Sequence, residues 1–256
     1  MVQRSSLIHG ADIARKMNDP LAADWYEFQA LQISLSLEHH WSEAKGYIVS
    51  GLKNSQDIRS GLDISIILGV IHSSKLPSFA PDDDRVLSSF VHLVGRFAQF
   101  YDINKVTHDR NGQPLGVAIG RYPEDVYDGT GVSSGNPWYL ATASLAEYLY
   151  NLAYLYQKKD RVDITSRSLP FFRDFLKIKS IKVGLADSLL LSKVIQMCRI
   201  KGDEFLRRIK FYEPMANLSE QYDSLSGRNL GARDLTWSYA SVLSAGRARR
   251  RSIGSE

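Results

Sequence analysis

Trp138, Ala141, Leu145, Leu149 and Leu152 recur every three or four residues, which lays them along one face of an α-helix. A period of that kind cannot alternate across a strand, so this part of the chain has to fold as a helix with one buried stripe. Similar spacing runs through Leu7 to Met17 and through Leu21 to Leu37, the second stretch opening on Asp19-Pro20, an N-cap residue followed by a proline at the first helical position. Further helices are expected from Arg85 to about Tyr101, over Pro170 to Leu176, from Leu185 to about Tyr212, and from Asp234 to Arg249. Carboxylates in the Pro77 to Asp84 loop favour the start of the first of these. Asn136-Pro137 is read as the cap of the helix that carries Trp138. Trp41 to Leu62 has no clear period and reads as irregular, with a short strand near Tyr47 to Val49. The fold class is therefore all-α, with helices separated by long loops.

Loops of more than about a dozen residues are uncommon in compact domains unless they serve a function. The two that stand out span 112 to 135 and 213 to 233, and they hold the unusual chemistry. Composition narrows the classes of function. At 44% hydrophobic residues a large core is affordable, and no apolar run reaches the roughly 18 residues of a membrane span. The net charge of +4 invites a nucleic-acid reading, but Arg247, Arg249, Arg250 and Arg251 account for it. Setting these four aside leaves 28 bases against 28 acids, so residues 247–256 form a basic terminal tail on a neutral body and no nucleic acid is expected. The single cysteine, Cys198, builds neither a disulfide nor a cysteine metal site, and reads as a buried apolar group. Met1 to Ala11 lacks the apolar centre of a secretory signal, so the chain as written carries no export address.

The first loop contains Gly120-Arg121-Tyr122-Pro123-Glu124-Asp125-Val126-Tyr127 and runs on to Gly135-Asn136-Pro137-Trp138-Tyr139. Guanidinium donors, carboxylate acceptors and flat aromatic faces together suit a sugar, whose hydroxyls need both kinds of partner and whose C–H faces need an aromatic wall. The plainer reading is an ion pair from Arg121 to Glu124 or Asp125 that ties the loop, with Trp138 as core. The second loop places Glu220 beside Gln221 and Tyr222, ahead of Trp237. A glutamate there can serve as a general base on water, although a solvated loop glutamate is the commoner case.

Four phrases resemble those of the fungal glucoamylases, in the same order. They are Gly-Arg-Tyr-Pro-Glu-Asp-Val-Tyr at 120–127, Gly-Asn-Pro-Trp-Tyr-Leu-Ala-Thr at 135–142, Leu-Ser-Glu-Gln-Tyr-Asp at 218–223 and Ala-Arg-Asp-Leu-Thr-Trp-Ser-Tyr at 232–239. Weaker similarity reaches forward through Arg59-Ser60-Gly61-Leu62-Asp63-Ile64-Ser65 to the first helix. The resemblance implies an (α/α)6 toroid, of which residues 1–256 would be the carboxy-terminal part of the catalytic domain, an incomplete half-barrel. It implies an inverting glycoside hydrolase that frees glucose from the non-reducing ends of α-1,4-glucans, with Glu220 as the base. It further implies that Arg121 hydrogen-bonds the terminal glucose, that Asp125, Tyr127 and Trp138 shape the pocket, and that Trp237 lies near the base. The family's acid belongs to a Trp-Glu-Glu segment, and none of the four tryptophans here, Trp25, Trp41, Trp138 and Trp237, is followed by Glu-Glu. The partners implied are an α-glucan or maltooligosaccharide and, through the exposed half-barrel face, another polypeptide surface. No metal or organic cofactor is implied. The family is commonly secreted or vacuolar, which leaves the compartment of this chain open. Two other readings stay in view: a non-catalytic or degenerate α-glucan-binding fragment, and a helical scaffold whose arginine-rich end contacts nucleic acid.

Overall fold

A computed structural model describes residues 1–52, 59–73 and 78–254. Residues 53–58 of the irregular stretch, Pro77 of the loop before the Arg85 helix and the last two residues of the basic tail lie outside the described residues. The chain is all-α: α1 (Val2–Lys16) and α2 (Pro20–Glu38) precede a hairpin of two-residue strands, β1 (Trp41–Ser42) and β2 (Tyr47–Ile48), then α3 (Ser65–Ile71) and α4 (Asp84–Phe100). After the first long loop come α5 (Tyr139–Lys159), the strand pair β3 (Asp163–Ile164) and β4 (Gly184–Leu185), α6 (Ser188–Tyr212), β5 (Gln221–Tyr222), β6 (Asn229–Leu230) and α7 (Thr236–Ile253). Each strand pair is an antiparallel two-stranded ribbon. Among the described residues no helix is long and apolar enough to cross a membrane.

Helix α5 is the centre of the core. Its interior carries a single charge, Glu147, and it buries residues on every side, including Leu145, Tyr148, Leu149, Leu152 and Tyr156. A helix that is apolar all round is stable only when other elements enclose it. Helices α6 and α7 flank it, and α3 touches it as well. The α6 stripe is large, with Leu191, Val194, Cys198, Phe205 and Ile209 buried, whereas α7 offers Ser238, Ser241, Ala245, Ala248 and Ser252, whose short side chains let two helices approach closely. Helix α4 adds Val86, Phe90, Leu93 and Phe97, and Phe90 stacks on Tyr148 of α5 with ring centroids 5.3 Å apart. Cys198 is buried as expected, and burial pushes its thiol pKa far up.

Caps set the starts of three helices. Asp19 Oδ1 accepts from the Ala22 N–H with Pro20 in the first turn, Asp83 accepts from the Arg85 N–H, and Asp187 accepts from the Leu190 N–H. The cap expected of Asn136 does not form: α5 starts after Trp138 with no side-chain cap, and the Asn136 amide is used elsewhere. Helix α3 was not anticipated. The segment 170–176 is one turn of wide π-type helix over Phe171–Phe175. The arginine cluster continues α7 as its last turns, where Arg249 pairs with Asp203 at 2.7 Å and Arg251 donates to Asn151 at 2.6 Å. Helices α1 and α2 form a hairpin closed by a small separate cluster of Ala11, Ala14 and Ala23. Its outer face leaves Leu21, Trp25, Phe28, Leu31 and Leu35 exposed.

Candidate active site

The two long loops meet at the amino-terminal ends of α5 and α7. Local chemistry organises the first. Arg121 Nε and Nη2 donate to the two oxygens of Asp125 at 2.7 and 2.6 Å, a bidentate pair within one turn of chain. Asp125 is 4% exposed, and its Oδ1 also accepts the Tyr127 N–H at 3.1 Å. The partner of Arg121 is thus Asp125; Glu124 turns away and accepts the Ser60 N–H at 3.2 Å. The bonds from Asp125 outweigh desolvation and hold the Arg121 guanidinium above its ordinary pKa. Its carbon lies 4.8 Å from the centre of the Trp138 ring and 5.3 Å from that of Tyr127, so one face of the cation is stacked on aromatic carbon.

The second loop delivers Glu220 to this group. Its backbone N–H donates to Ala232 O at 2.8 Å, and the carboxylate Oε2 lies 3.2 Å from the Tyr127 hydroxyl, which is also 3.1 Å from Gly129 O. Burial, and then the nearby Glu220, raises the Tyr127 pKa, so the phenol stays a donor. Gly231 is needed here: its φ is +71°, and a Cβ would sit 2.5 Å from Glu220 Oε2. Trp138 stands between the halves, its ring centroid 6.2 Å from Tyr127 and 5.6 Å from Trp237. Trp138 is 4% exposed and Trp237 44%, so one indole is wall and the other is rim.

The six residues singled out from the sequence therefore converge. Sequence reasoning missed the parts that hold them together. Asn136 Nδ2 donates to Gln221 Oε1 at 3.1 Å and to Asp128 O at 3.2 Å, while its Oδ1 accepts the Ser224 N–H. The Tyr222 N–H donates to Pro137 O, Trp138 and Gln221 form a bridge between the loops, and the Tyr222 hydroxyl lies 2.6 Å from Thr142 Oγ1 on α5. The available signal was adjacency: Asn136 precedes Trp138 by two positions and Gln221 follows Glu220 directly. The arrangement can bind a ligand with vicinal hydroxyls through the outward edge of Arg121, pack its apolar face on indole, and offer a carboxylate to a water.

Comparison with known proteins places this geometry in context. The sequence profile described as Glycosyl hydrolases family 15 matches residues 1–247. A glucoamylase of Blastobotrys adeninivorans is 36% identical over 97% of this chain and 41% of its own length, and Glucoamylase 1 of Rhizopus oryzae is 34% identical over the same shares. The solved glycoside hydrolase family 15 glucoamylase from Hypocrea jecorina superposes with a TM-score of 0.85 at 32% identity, over 99% of this chain and 41% of that one. The chain thus spans about 41% of the length of these relatives.

Proposed function

Since the chain belongs to glycosyl hydrolases family 15, we propose that it is the carboxy-terminal part of a catalytic domain that releases glucose from the non-reducing ends of α-1,4-glucans with inversion. Glu220 is the general base, drawing a proton from the water that attacks the anomeric carbon. The observation that carries this reading is the Tyr127 hydroxyl shared with Glu220 Oε2 at 3.2 Å, which fixes one oxygen and leaves the other to orient a water. Arg121, held by Asp125, donates to the hydroxyls of the terminal glucose, and Trp138 and Trp237 pack against its ring. Tyr127 and Asp125 act by holding the base and the guanidinium in place.

Inversion requires a second carboxyl group about 6.5–9.5 Å from the base, protonated to hand a proton to the leaving oxygen. The nearby carboxylates of this chain suit that role badly. Both oxygens of Asp125 are taken by Arg121. Asp128 is held down at about 2 by the Ser133 hydroxyl and the N–H groups of Thr130 and Gly131. The acid is therefore assigned to a Trp-Glu-Glu segment that this sequence does not contain, and this chain by itself binds the glucan and turns it over slowly or not at all. The same observation keeps a second reading alive, in which these residues serve a non-catalytic glucan-binding protein.

The test is glucose release from maltose and starch by the 256-residue chain, alone and supplemented with the amino-terminal portion of a family member that carries the acid. Activity is expected only with the supplement, with Glu220→Gln lowering it about 10²–10⁴-fold. Robust release by the chain alone that depends on Glu220 would refute the assignment of the acid. Maltose binding without turnover under both conditions would favour the non-catalytic reading.

A further inference from the structure

A cavity of about 1140 Å³ among the described residues is lined by none of the six residues above. It lies where the carboxy-terminal half of α6 meets the loop at 109–114, the turn between β5 and β6, and the end of α7. Five cationic side chains line it, Arg110, Arg207, Lys210, Arg228 and Arg249, against two carboxylates. Both carboxylates are engaged. Asp109 Oδ1 accepts the N–H groups of Asn111 and Gln113 at 2.8 Å, and Asp203 is held by the Tyr150 hydroxyl at 2.6 Å and by Arg249 at 2.7 Å. Arg207 is spent on the Pro114 carbonyl. The heads of Arg110, Lys210 and Arg228 are exposed and form no hydrogen bond or salt bridge to another described side chain, although Arg228 is near enough to Asp223 to help hold its carboxyl below the ordinary range, so three cations from three separate elements line the cavity without a hydrogen-bonded counter-ion.

This groove is built rather than incidental. Gly227 has φ +74°, and a Cβ there would fall 2.0 Å from the Tyr212 ring, so the turn carrying Arg228 is seated against α6. Phe211 and Pro214 contribute apolar surface beside the cations. A bare anion would use a small fraction of that volume, and cavities of about 300–1,000 Å³ already hold drug-sized ligands. Free cationic donors beside an aromatic ring suit a ligand that joins an oxyanion to a carbon-rich face.

We propose that this groove binds carbohydrate bearing phosphate monoesters, the phosphate on Arg110, Lys210 and Arg228 and the sugar face against Phe211. The carbohydrate half of this inference rests on the glucan reading of the chain, and the anion half on three cations to which no carboxylate is hydrogen-bonded. An extended nucleic-acid track is the less favoured occupant, because outside the four arginines at 247–251 the bases and acids of the chain balance at 28 each.

The test is an NMR titration of the 256-residue chain with glucose 6-phosphate, inorganic phosphate, maltose and a ten-residue oligothymidylate at constant ionic strength. Glucose 6-phosphate is expected to shift the amides of Arg110, Phe211 and Arg228 and to bind about tenfold more tightly than inorganic phosphate. The double variant Lys210→Glu with Arg228→Glu is expected to weaken it at least about tenfold, as loss of charge-assisted bonds implies, while the tryptophan fluorescence response to maltose at Trp138 and Trp237 is unchanged. Equal affinity for glucose 6-phosphate and inorganic phosphate, tighter binding of the oligothymidylate, or indifference to the double variant would each overturn the proposal. Loss of the maltose response with glucose 6-phosphate binding intact would support the groove and tell against the glucan reading alone.

Discussion

Helices α2 and α5 are similar in length and both are rich in apolar residues, yet their surroundings are opposite. Of the 21 residues of α5, 13 are buried, whereas the 19 residues of α2 bury only Ala23 and Ala30. The large apolar side chains Leu21, Trp25, Phe28, Leu31 and Leu35 of α2 lie on an uncovered face, Leu21 being 82% exposed and Trp25 60%. Hydrophobic content therefore does not say where the stability resides. It says which surface needs a neighbour, and in this chain α6 and α7 supply that neighbour to α5 but no described residue supplies it to the outer face of α2.

Truncating equivalent leucines should separate the two helices most clearly. Leu149→Ala in α5 is expected to cost about 2–5 kcal/mol by urea denaturation, and Leu31→Ala in α2 about 0.5 kcal/mol or less. Equal losses would mean that α2 is covered in solution. The next effect tests what covers it. The bare face should drive association of the chain, and Trp25→Glu with Leu31→Glu should weaken that association by about 2–3 kcal/mol in sedimentation equilibrium, the scale of burying one large apolar side chain. A wild-type chain that stays monomeric at high concentration and binds no hydrophobic dye would count against the idea.

Caps give smaller contrasts. Asp83 starts α4 in a half-buried setting, bonded to the Arg85 guanidinium, and Asp83→Ala is expected to cost about 1–2 kcal/mol at neutral pH. Burial opposes its ionisation, but Arg85 and the N–H groups of Arg85 and Phe79 prevail and hold its pKa below the ordinary 3.8. A depressed carboxyl pKa contributes stability above the unfolded value and loses it as pH falls through the folded one. The gap between wild type and Asp83→Ala should thus be constant above about pH 5 and shrink below about pH 4; a gap that widens in acid would contradict the assignment. Asp19 caps α2 in the open, and Asp19→Ala should cost only about 0.5–1 kcal/mol. The comparison is read from the same denaturation curves.

How much of this was legible in the sequence depended on the range of the interactions involved. Helix α5 announced itself because Trp138 to Leu152 keeps one period over four turns, and Asp19-Pro20 marked the start of α2 because a cap is a local device. Ser65-Ile66-Ile67-Leu68-Gly69-Val70-Ile71 did not read as a helix, since an unbroken apolar run has no period to detect. The site residues were found by resemblance of short phrases, and closeness in the loop offered Glu124 or Asp125 as the partner of Arg121, of which the structure selects Asp125. Asn136 was misread for a physical reason: its amide satisfies Gln221 and Ser224, partners more than 80 positions away, in preference to the next helix. The arginines of the last turns looked like a loose end because Asp203, the partner of Arg249, lies 46 residues upstream.

That same long reach of the Asn136 and Tyr127 bonds sets an order in which the molecule can assemble. Arg121 and Asp125 find each other across four residues, and α5 follows directly, so this half of the site can form as soon as its own stretch collapses. Glu220 meets Tyr127 only by closing 93 residues of chain, and Gln221 meets Asn136 by closing 85, which costs about 4 kcal/mol in chain entropy before any contact is made. Contacts of such separation form late. In a refolding experiment the helical signal of α5 should accordingly recover before Trp138 and Trp237 come into contact, and the packing of α7 on α5 should recover together with that contact, since both close a similar length of chain.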